Sequence, residues 1–516
     1  MYSSWAYSLL HEFKNDPTQI SAKQWQGQES TKGPTTVLIK PDGKTLEAFG
    51  FEAETRYTEL IDEDEHESWL KDDLWRVSND RISGTIRENE IHWVLTVPAI
   101  WDNAAKQFMR EAAKQAGIEE TSLTVALEPE AASLFCRHLP VERSENKTSL
   151  GKLKAKQKYL VLDAGGGTID ITVHEVLQSM EVKELYKASG GAWGGTKVDE
   201  AFKGFINDIA GFDAMADLKR KHLDDYIELF RRFENKKRSI SPDIDSKTVI
   251  PLPQSLCSLI EKRQGRALCD LIKNTSYANL VSMKNEKVNI DASVARQFFD
   301  TSVSSTVEHL KNILSLPVNR GVEAILMVGG FSESPMLQHA VSTEFGAVKR
   351  IVPREASLAV LKGAVIFGHN TKAIKERISQ RTYGVETTSH FDATKHDVTK
   401  KKYYEGKARC RNVFEKHVEI GQKLTVGKAQ SNMIYYPLYA HQTFIRLPIF
   451  TTCDKNPMYT TDPGCIQVGN LEIPICGSGT NRWVNVRFIS GGTEIDVEAT
   501  EKATGKVHHL KIDFLT

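Results

Sequence analysis

Apolar residues flank the polar turn Pro41-Asp42-Gly43, Val37-Leu38-Ile39 before it and Leu46, Ala48 and Phe49 after it, which predicts two strands joined by a turn over residues 35–49. The acidic stretch IDEDEHESWLKDDLW that follows predicts a surface helix. From Ile91 the apolar run HWVLTVPAI predicts a buried strand. It leads into NAAKQFMREAAKQAGI, a helix that Asp102 or Asn103 can cap and Gly117 can end. A second short strand, LTVALEP, precedes a small-residue helix, EAASLFC. Strand-helix-strand order of this kind implies a parallel sheet with both faces covered.

Residues 141–158, rich in Lys, Ser and Glu, read as an exposed connection. Beyond them come YLVLDAGGGTIDITVHEV, a glycine-rich stretch and a long helical region over 198–241. The strand AILMVGG is followed by a helix that Ser334-Pro335 opens. After about Lys372 the pattern changes to short alternating segments. The closing part reads as strands joined by Gly491-Gly492 and by a turn at Thr504-Gly505, so the C-terminal part is predicted to be a β domain.

With 516 residues the chain exceeds one compact core, and its 40% hydrophobic and 26% charged content is that of globular protein. Its 67 basic and 67 acidic side chains balance, so no global field draws it to nucleic acid or an anionic membrane. Any anion site must be local. No stretch has the apolar length of a membrane helix, and the start, MYSSWAYSLLHEFKND, lacks a basic leader. The seven cysteines are odd in number and scattered, as reduced thiols are, and the expected location is the cytoplasm.

The most specific chemical signal is Asp163-Ala-Gly165-Gly166-Gly167-Thr168-Ile-Asp170, set between two apolar, β-branched segments. A glycine turn joining two strands lets main-chain N–H groups surround a phosphate. The flanking carboxylates can hold Mg²⁺ through its waters, and Thr168 adds a hydroxyl. The plain rival is a hairpin turn with solvated acids, and phosphate binding is the stronger reading. A second stretch, Ser189-Gly190-Gly191-Ala-Trp193-Gly194-Gly195-Thr196, opens a helix with an apolar face of Val198, Phe202, Phe205, Ile206 and Ile209. Alone it marks only a loop before a helix. Glu234, Lys237, Arg238 and Ser241 share one helix face, which by itself is an ordinary solvated face with a Glu234–Arg238 ion pair. Gly329-Gly330 ends a buried strand, where ligands sit in open α/β sheets and where tight turns also sit. Glu128 can project from a strand end or act as a capping carboxylate.

Taken in chain order, VLTVPAIW, ALEPEAA, LDAGGGTIDITV, GGTKVDEAF, FENKKRSIS and LMVGGFSESP resemble the successive motifs of the actin, sugar-kinase and heat-shock ATPase superfamily. The EPEAAS and GGFSESP forms and the closing ATEKATGKVHHLKI are most similar to the divergent twelve branch of the heat-shock seventy-kilodalton chaperones. The similarity spans nearly the whole chain. It implies an α/β fold: a two-lobed actin-like (ribonuclease H-like) ATPase domain over residues 1–372, and a C-terminal β-sandwich over 373–516 without a helical lid. It also implies ATP or ADP with Mg²⁺ as cofactors. Asp163 and Asp170 would sit by the metal, Gly165, Gly166, Gly167 and Thr168 would hold the β and γ phosphates, and Glu128 would position the attacking water. Gly194 and Gly195 would line the ribose and phosphate side. Glu234, Lys237, Arg238 and Ser241 would line the adenosine, with Gly329 and Gly330 as the purine floor. The implied partners are unfolded peptides or client proteins and co-chaperones, with no nucleic acid and no membrane span, in a stress-response setting.

Three departures from the family pattern shape the expectation. Met1 stands where the family's first phosphate loop, Asp-x-Gly-Thr-Thr, should end, so the first strand and its loop are expected to be missing. The region between Trp75 and Ile91 is short and the catalytic lysine has no clear equivalent, Lys71 being only a neighbour in sequence. Glu333 replaces the arginine that stacks on adenine. Phosphoryl transfer rests on positioned charge, and losing one such donor costs roughly 10²–10³ in rate. Weak or absent hydrolysis is therefore expected, which leaves the status as an enzyme open. The alternative is a non-catalytic interaction scaffold with a vestigial nucleotide cleft. The connection KAIKERISQRTYGVET also lacks the leucine-rich linker of typical members, and weak coupling between the two parts is expected.

Overall fold

The computed structural model describes residues 2–23, 33–34, 37–39, 46–49, 74, 77–78, 86–139, 154–179, 181–490 and 495–510. The predicted N-terminal hairpin has its strands at Val37–Ile39 and Leu46–Phe49, paired antiparallel. Its Pro41-Asp42-Gly43 turn, most of the predicted acidic helix, Lys71 and Gly491-Gly492 lie outside the described residues. The strand Trp93–Val97 (β1) is followed by the helix Asn103–Gln115 (α1), whose Asp102 carboxylate accepts from Ala105 N–H at 2.9 Å. Leu123–Leu127 (β2) then pairs parallel with β1 and runs straight into Glu128–His138 (α2).

A seven-stranded sheet carries the core. Lys158–Ala164 (β3), Ile169–Val176 (β4) and Val182–Gly191 (β5) are antiparallel neighbours. The helices Thr196–Ala210 (α3), Phe212–Lys221 (α4) and Leu223–Lys237 (α5) come next, where the sequence pattern predicted one long helical region. Gly211, at φ 87°, and His222 break it, because a left-handed glycine ends one helix and re-aims the next. Asp300–Ser315 (α6) precedes Val322–Val328 (β6), which pairs parallel with β3; Pro335–Glu344 (α7), Lys349–Ile351 (β7) and Ala359–His369 (α8) complete this part. Along β3, Leu160 and Leu162 join one apolar cluster with α3 and α5, while Tyr159 and Val161 join another with α2 and α8. A strand covered on both faces reads as a continuous apolar run, which is what the YLVL stretch of β3 is.

The connecting stretch contributes to this sheet. Ile374–Ile378 (β8) pairs parallel with β5, and its far edge pairs with Lys423–Thr425, so the order is β7-β6-β3-β4-β5-β8 and then 423–425. Its register is held by charge as well as ladder bonds. Arg377 on β8 pairs with Glu130 on α2 at 2.6 Å, both buried, and Glu184 on β5 accepts from Ile378 N–H at 2.8 Å. Fully buried His174 lies in the same layer, its imidazole pushed down to about 3 by burial and by the nearby Arg377 and Arg137 charges.

Past residue 381, the strands other than Lys423–Thr425 form two antiparallel sheets. Thr382–His390 (β9), Lys401–Tyr404 (β10), Lys407–Val418 (β11), Phe444–Thr452 and Ile466–Pro474 make the first, and Ala429–Tyr435, Val484–Ser490, Ile495–Glu501 and Val507–Leu510 the second. One apolar cluster draws Val385, Ile449 and Val468 from the first and Val486, Phe488 and Val497 from the second. The turn predicted at Thr504-Gly505 is present, with Gly505 at φ 67° and Thr504 N–H donating to Glu501 at 2.7 Å. Among the described residues no helix is long and apolar enough to cross a membrane.

Candidate functional site

Three glycine-bearing stretches meet at the turn between β3 and β4. The ladder places Asp163 directly opposite Asp170, so the two carboxylates share a face, and both are buried. Like charges facing across a ladder destabilise it, and burial penalises each ionised form. Burial pushes the Asp170 carboxyl above the usual range, against the pull of Ile100 N–H, the Thr168 hydroxyl, Ala99 N–H and the Lys106 ammonium. Ile100 N–H donates to Asp170 Oδ1 at 2.8 Å, which ties the end of β1 to the turn.

Inside the turn Gly165 N–H donates to Thr168 O at 3.0 Å. The second glycine stretch docks on it through main-chain bonds from Gly194 N–H to Gly167 O at 3.2 Å, Gly195 N–H to Gly165 O at 3.1 Å and Thr196 N–H to Gly166 O at 2.8 Å. A Cβ on Gly194 would lie 2.4 Å from Gly166 O, so only glycine permits this approach. From the third side Gly329, at φ 84°, packs on Asp163: a Cβ there would lie 2.4 Å from its Oδ1 and 2.5 Å from Ala164 O. The other glycines differ. A Cβ on Gly166, Gly167 or Gly330 would meet no protein atom within 4 Å, and none of the three has a left-handed φ. Neither packing nor backbone conformation within the chain requires glycine at these positions.

The four polar residues predicted on one helix face do not all lie on a helix, since α5 ends at Lys237 and Ser241 lies past it; two of the four reach this region. Lys237, buried, pairs with Asp199 on α3 at 2.7 Å and with Glu234, and its Nζ lies 3.4 Å from Gly195 O. Burial raises the Asp199 carboxyl above the usual range, opposed by Lys237. Arg238 pairs with Glu234 at 3.1 Å and is largely exposed. The Ser241 carbonyl accepts from Arg296 Nε at 3.1 Å and its hydroxyl from Asp243 N–H at 3.3 Å. Glu128, half-buried, is the first residue of α2, seated by Leu127, which packs with Val97, Ala99 and Ala188 beside the end of β1. The Glu333 carboxylate accepts from Ser357 N–H at 3.2 Å.

Sequence reasoning missed Ile100, Lys106, Asp199, Ser302 and His309. Ser302 on α6 donates to Trp193 O, and His309 Nε2 lies 3.0 Å from Ser189 Oγ, so α6 braces the second glycine stretch. Asp199 carried a usable signal, an acid in the first turn of a helix opened by glycines. Ile100 acts through its backbone, and no residue-type signal could have found it.

The sequence model of the family described as Hsp70 protein matches residues 79–399, more than half of the chain. The chain is 31% identical to heat shock 70 kDa protein 12A of Mus musculus and of Homo sapiens, over 99% of its own length and 90% of theirs. It is 30% identical to heat shock 70 kDa protein 12B of Homo sapiens, over 100% of its length and 90% of that protein. With the mixed α/β architecture and the converging glycine stretches, these similarities place the chain in the Hsp70 family, within the heat shock 70 kDa protein 12 branch.

Proposed function

We propose that the chain is a chaperone-like ATP- or ADP-binding protein of the Hsp70 family whose hydrolysis is weak or absent. The observation that carries the reading is the contrast among its glycines: Gly194 and Gly329 are required by packing, whereas Gly166, Gly167 and Gly330 face open space. Glycine without a packing reason at a turn fits close approach of a ligand to the main chain. Asp163 and Asp170 fit Mg²⁺, which is held by one or two carboxylates together with substrate phosphates. Gly165, Gly166, Gly167 and Thr168 would hold phosphates. Gly194 and Gly195 would take the ribose side, Glu234, Lys237, Arg238 and Ser241 the adenosine, Gly329 and Gly330 the base, and Glu128 the water.

In this reading residues 1–372 bind nucleotide. Within residues 373–516, apart from 374–378 and 423–425, which extend the sheet of the first part, the strands form a β-sandwich that takes unfolded peptide and works with co-chaperones in the cytoplasm, where the seven free cysteines stay reduced. Glu333, engaged with Ser357 where adenine would stack, favours the second reading, an interaction scaffold with a vestigial nucleotide cleft. Titration with labelled ATP and Mg²⁺ separates the two. Saturable binding that Asp163→Ala and Gly166→Val both abolish supports the cleft; a Cβ at Gly166 meets no protein atom within 4 Å, and melting of Gly166→Val checks that its fold is kept. No binding by the parent chain would leave the scaffold.

A further inference from the structure

The two C-terminal sheets enclose a cleft of about 480 Å³, within the roughly 300–1,000 Å³ range of ligand pockets. One wall is the β10–β11 hairpin, which turns at Glu405 and Gly406, both at positive φ. The other is the connection after Tyr435, and Tyr404 of the first wall lies 5.9 Å, ring to ring, from Tyr439 of the second. Charge is concentrated on the hairpin. Residues 401–418 hold four lysines and two arginines against Glu405 and Glu415, in a chain whose totals balance.

The ladder places Lys402 directly opposite Arg409 and Tyr404 directly opposite Lys407, so all four side chains share one face. Tyr404, Lys407 and Arg409 line the cleft. Like charges directly opposite each other weaken a ladder. Lys402 Nζ rests 5.5 Å from the Tyr404 ring, and among the described residues no carboxylate pairs with Lys402, Lys407 or Arg409. Other charges of the lining are engaged within the fold: Glu386 accepts from Asn412 and Thr460, and Arg446 pairs with Glu472. Glu415 is half-buried, and burial raises its carboxyl above the usual range. The charge left over on this wall is positive, apart from Glu405 at the turn.

We propose that this cleft takes an extended, acidic segment of a partner polypeptide, with Lys407 and Arg409 as the groups that select carboxylates and the tyrosines as its apolar bed. The inference rests on the reading that these sheets bind peptide and adds the class of peptide. A polypeptide fits better than a nucleic acid. Glu405, at the turn beside Lys407, would oppose an unbroken row of phosphates, whereas a peptide can set single carboxylates against single cations.

The test uses the full chain and fluorescence anisotropy with three labelled peptides of one length: Glu alternating with Tyr and Leu, the same with Gln for Glu, and the same with Lys for Glu. The acidic peptide should bind about tenfold tighter than the neutral one and weaken with salt. Lys407→Glu/Arg409→Glu should lose that preference and favour the Lys peptide, and the milder Lys407→Gln/Arg409→Gln should erase it. Both positions are surface-accessible, and unchanged melting keeps the comparison valid. Equal binding of all three peptides, unaffected by the variants, would overturn the charge selection and leave the peptide reading standing. No binding of any peptide would overturn the peptide reading itself. An oligonucleotide or an anionic vesicle that displaces the acidic peptide more tightly than the peptide binds would reject the polypeptide as occupant.

Discussion

At the turn between β3 and β4, Asp163 and Asp170 face each other, and Asp170 is met by main-chain N–H groups and a hydroxyl, with the Lys106 charge as the weakest pull. At the junction of α2, β5 and β8, Glu130 and Glu184 are also buried, but there the chain brings in a guanidinium, Arg377, from a distant strand. The second cluster supplies its own opposite charge and locks three elements together. The first offers carboxylates and open glycines on one side, an arrangement that, under the proposed function, a metal-bearing nucleotide completes. Buried acids alone do not mark a site. What distinguishes the two clusters is whether the fold provides a full countercharge and whether the surrounding glycines are explained by packing.

The largest expected effect breaks the structural cluster. Arg377→Met removes the cation from Glu130, which is 1% exposed, and should cost about 3–5 kcal/mol of stability in urea unfolding. Adding Glu130→Gln should restore a large part of that loss, because the stranded charge goes with it. If Arg377→Met alone costs under about 1 kcal/mol, the pair is not what holds β8 against α2.

The two clusters also differ in how far the sequence disclosed them. The β3 turn was legible because its signal is local: apolar runs, three glycines and two acids fall within a few residues. The Asp102 cap and the Gly117 stop of α1 were legible for the same reason. The strand β8 was not, since IKERI has three charged residues in five and gains its place by pairing with β5 and by the Arg377–Glu130 contact. Gly211 was read through as part of a helical region, because one glycine inside an apolar periodicity does not by itself say whether it is tolerated or left-handed.

A second prediction concerns pH. Burial, with the neighbouring Glu130 charge, pushes the Glu184 carboxyl up to about 8, against the pull of Ile378 N–H and Arg377. An acid with a higher pKa folded than unfolded holds more protons when folded, so stability falls as pH rises from the usual carboxylate range through about 8 and levels off above it. Glu184→Gln keeps a carbonyl for Ile378 N–H and removes the titration. Between pH 5 and 8 the parent chain should lose on the order of 3 kcal/mol relative to this variant in urea midpoints. Parallel pH profiles for the two proteins would mean that Glu184 stays ionised throughout, with solvent reaching it.

The smallest expected effect tests the glycine contrast at two adjacent positions with one substitution. Gly329→Ala places a methyl group against Asp163 Oδ1 and Ala164 O at a left-handed φ, and should cost roughly 1–3 kcal/mol as β6 shifts away from β3. Gly330→Ala meets nothing in the protein and has an ordinary φ, so its stability should stay within about 0.5 kcal/mol of the parent. Their effects on labelled ATP should run the other way relative to stability: Gly330→Ala loses affinity while melting normally, because its methyl group occupies space that only a ligand would use. A Gly330→Ala chain that melts like the parent and binds ATP like the parent would show that open space at this glycine serves no ligand, and the same doubt would extend to Gly166 and Gly167.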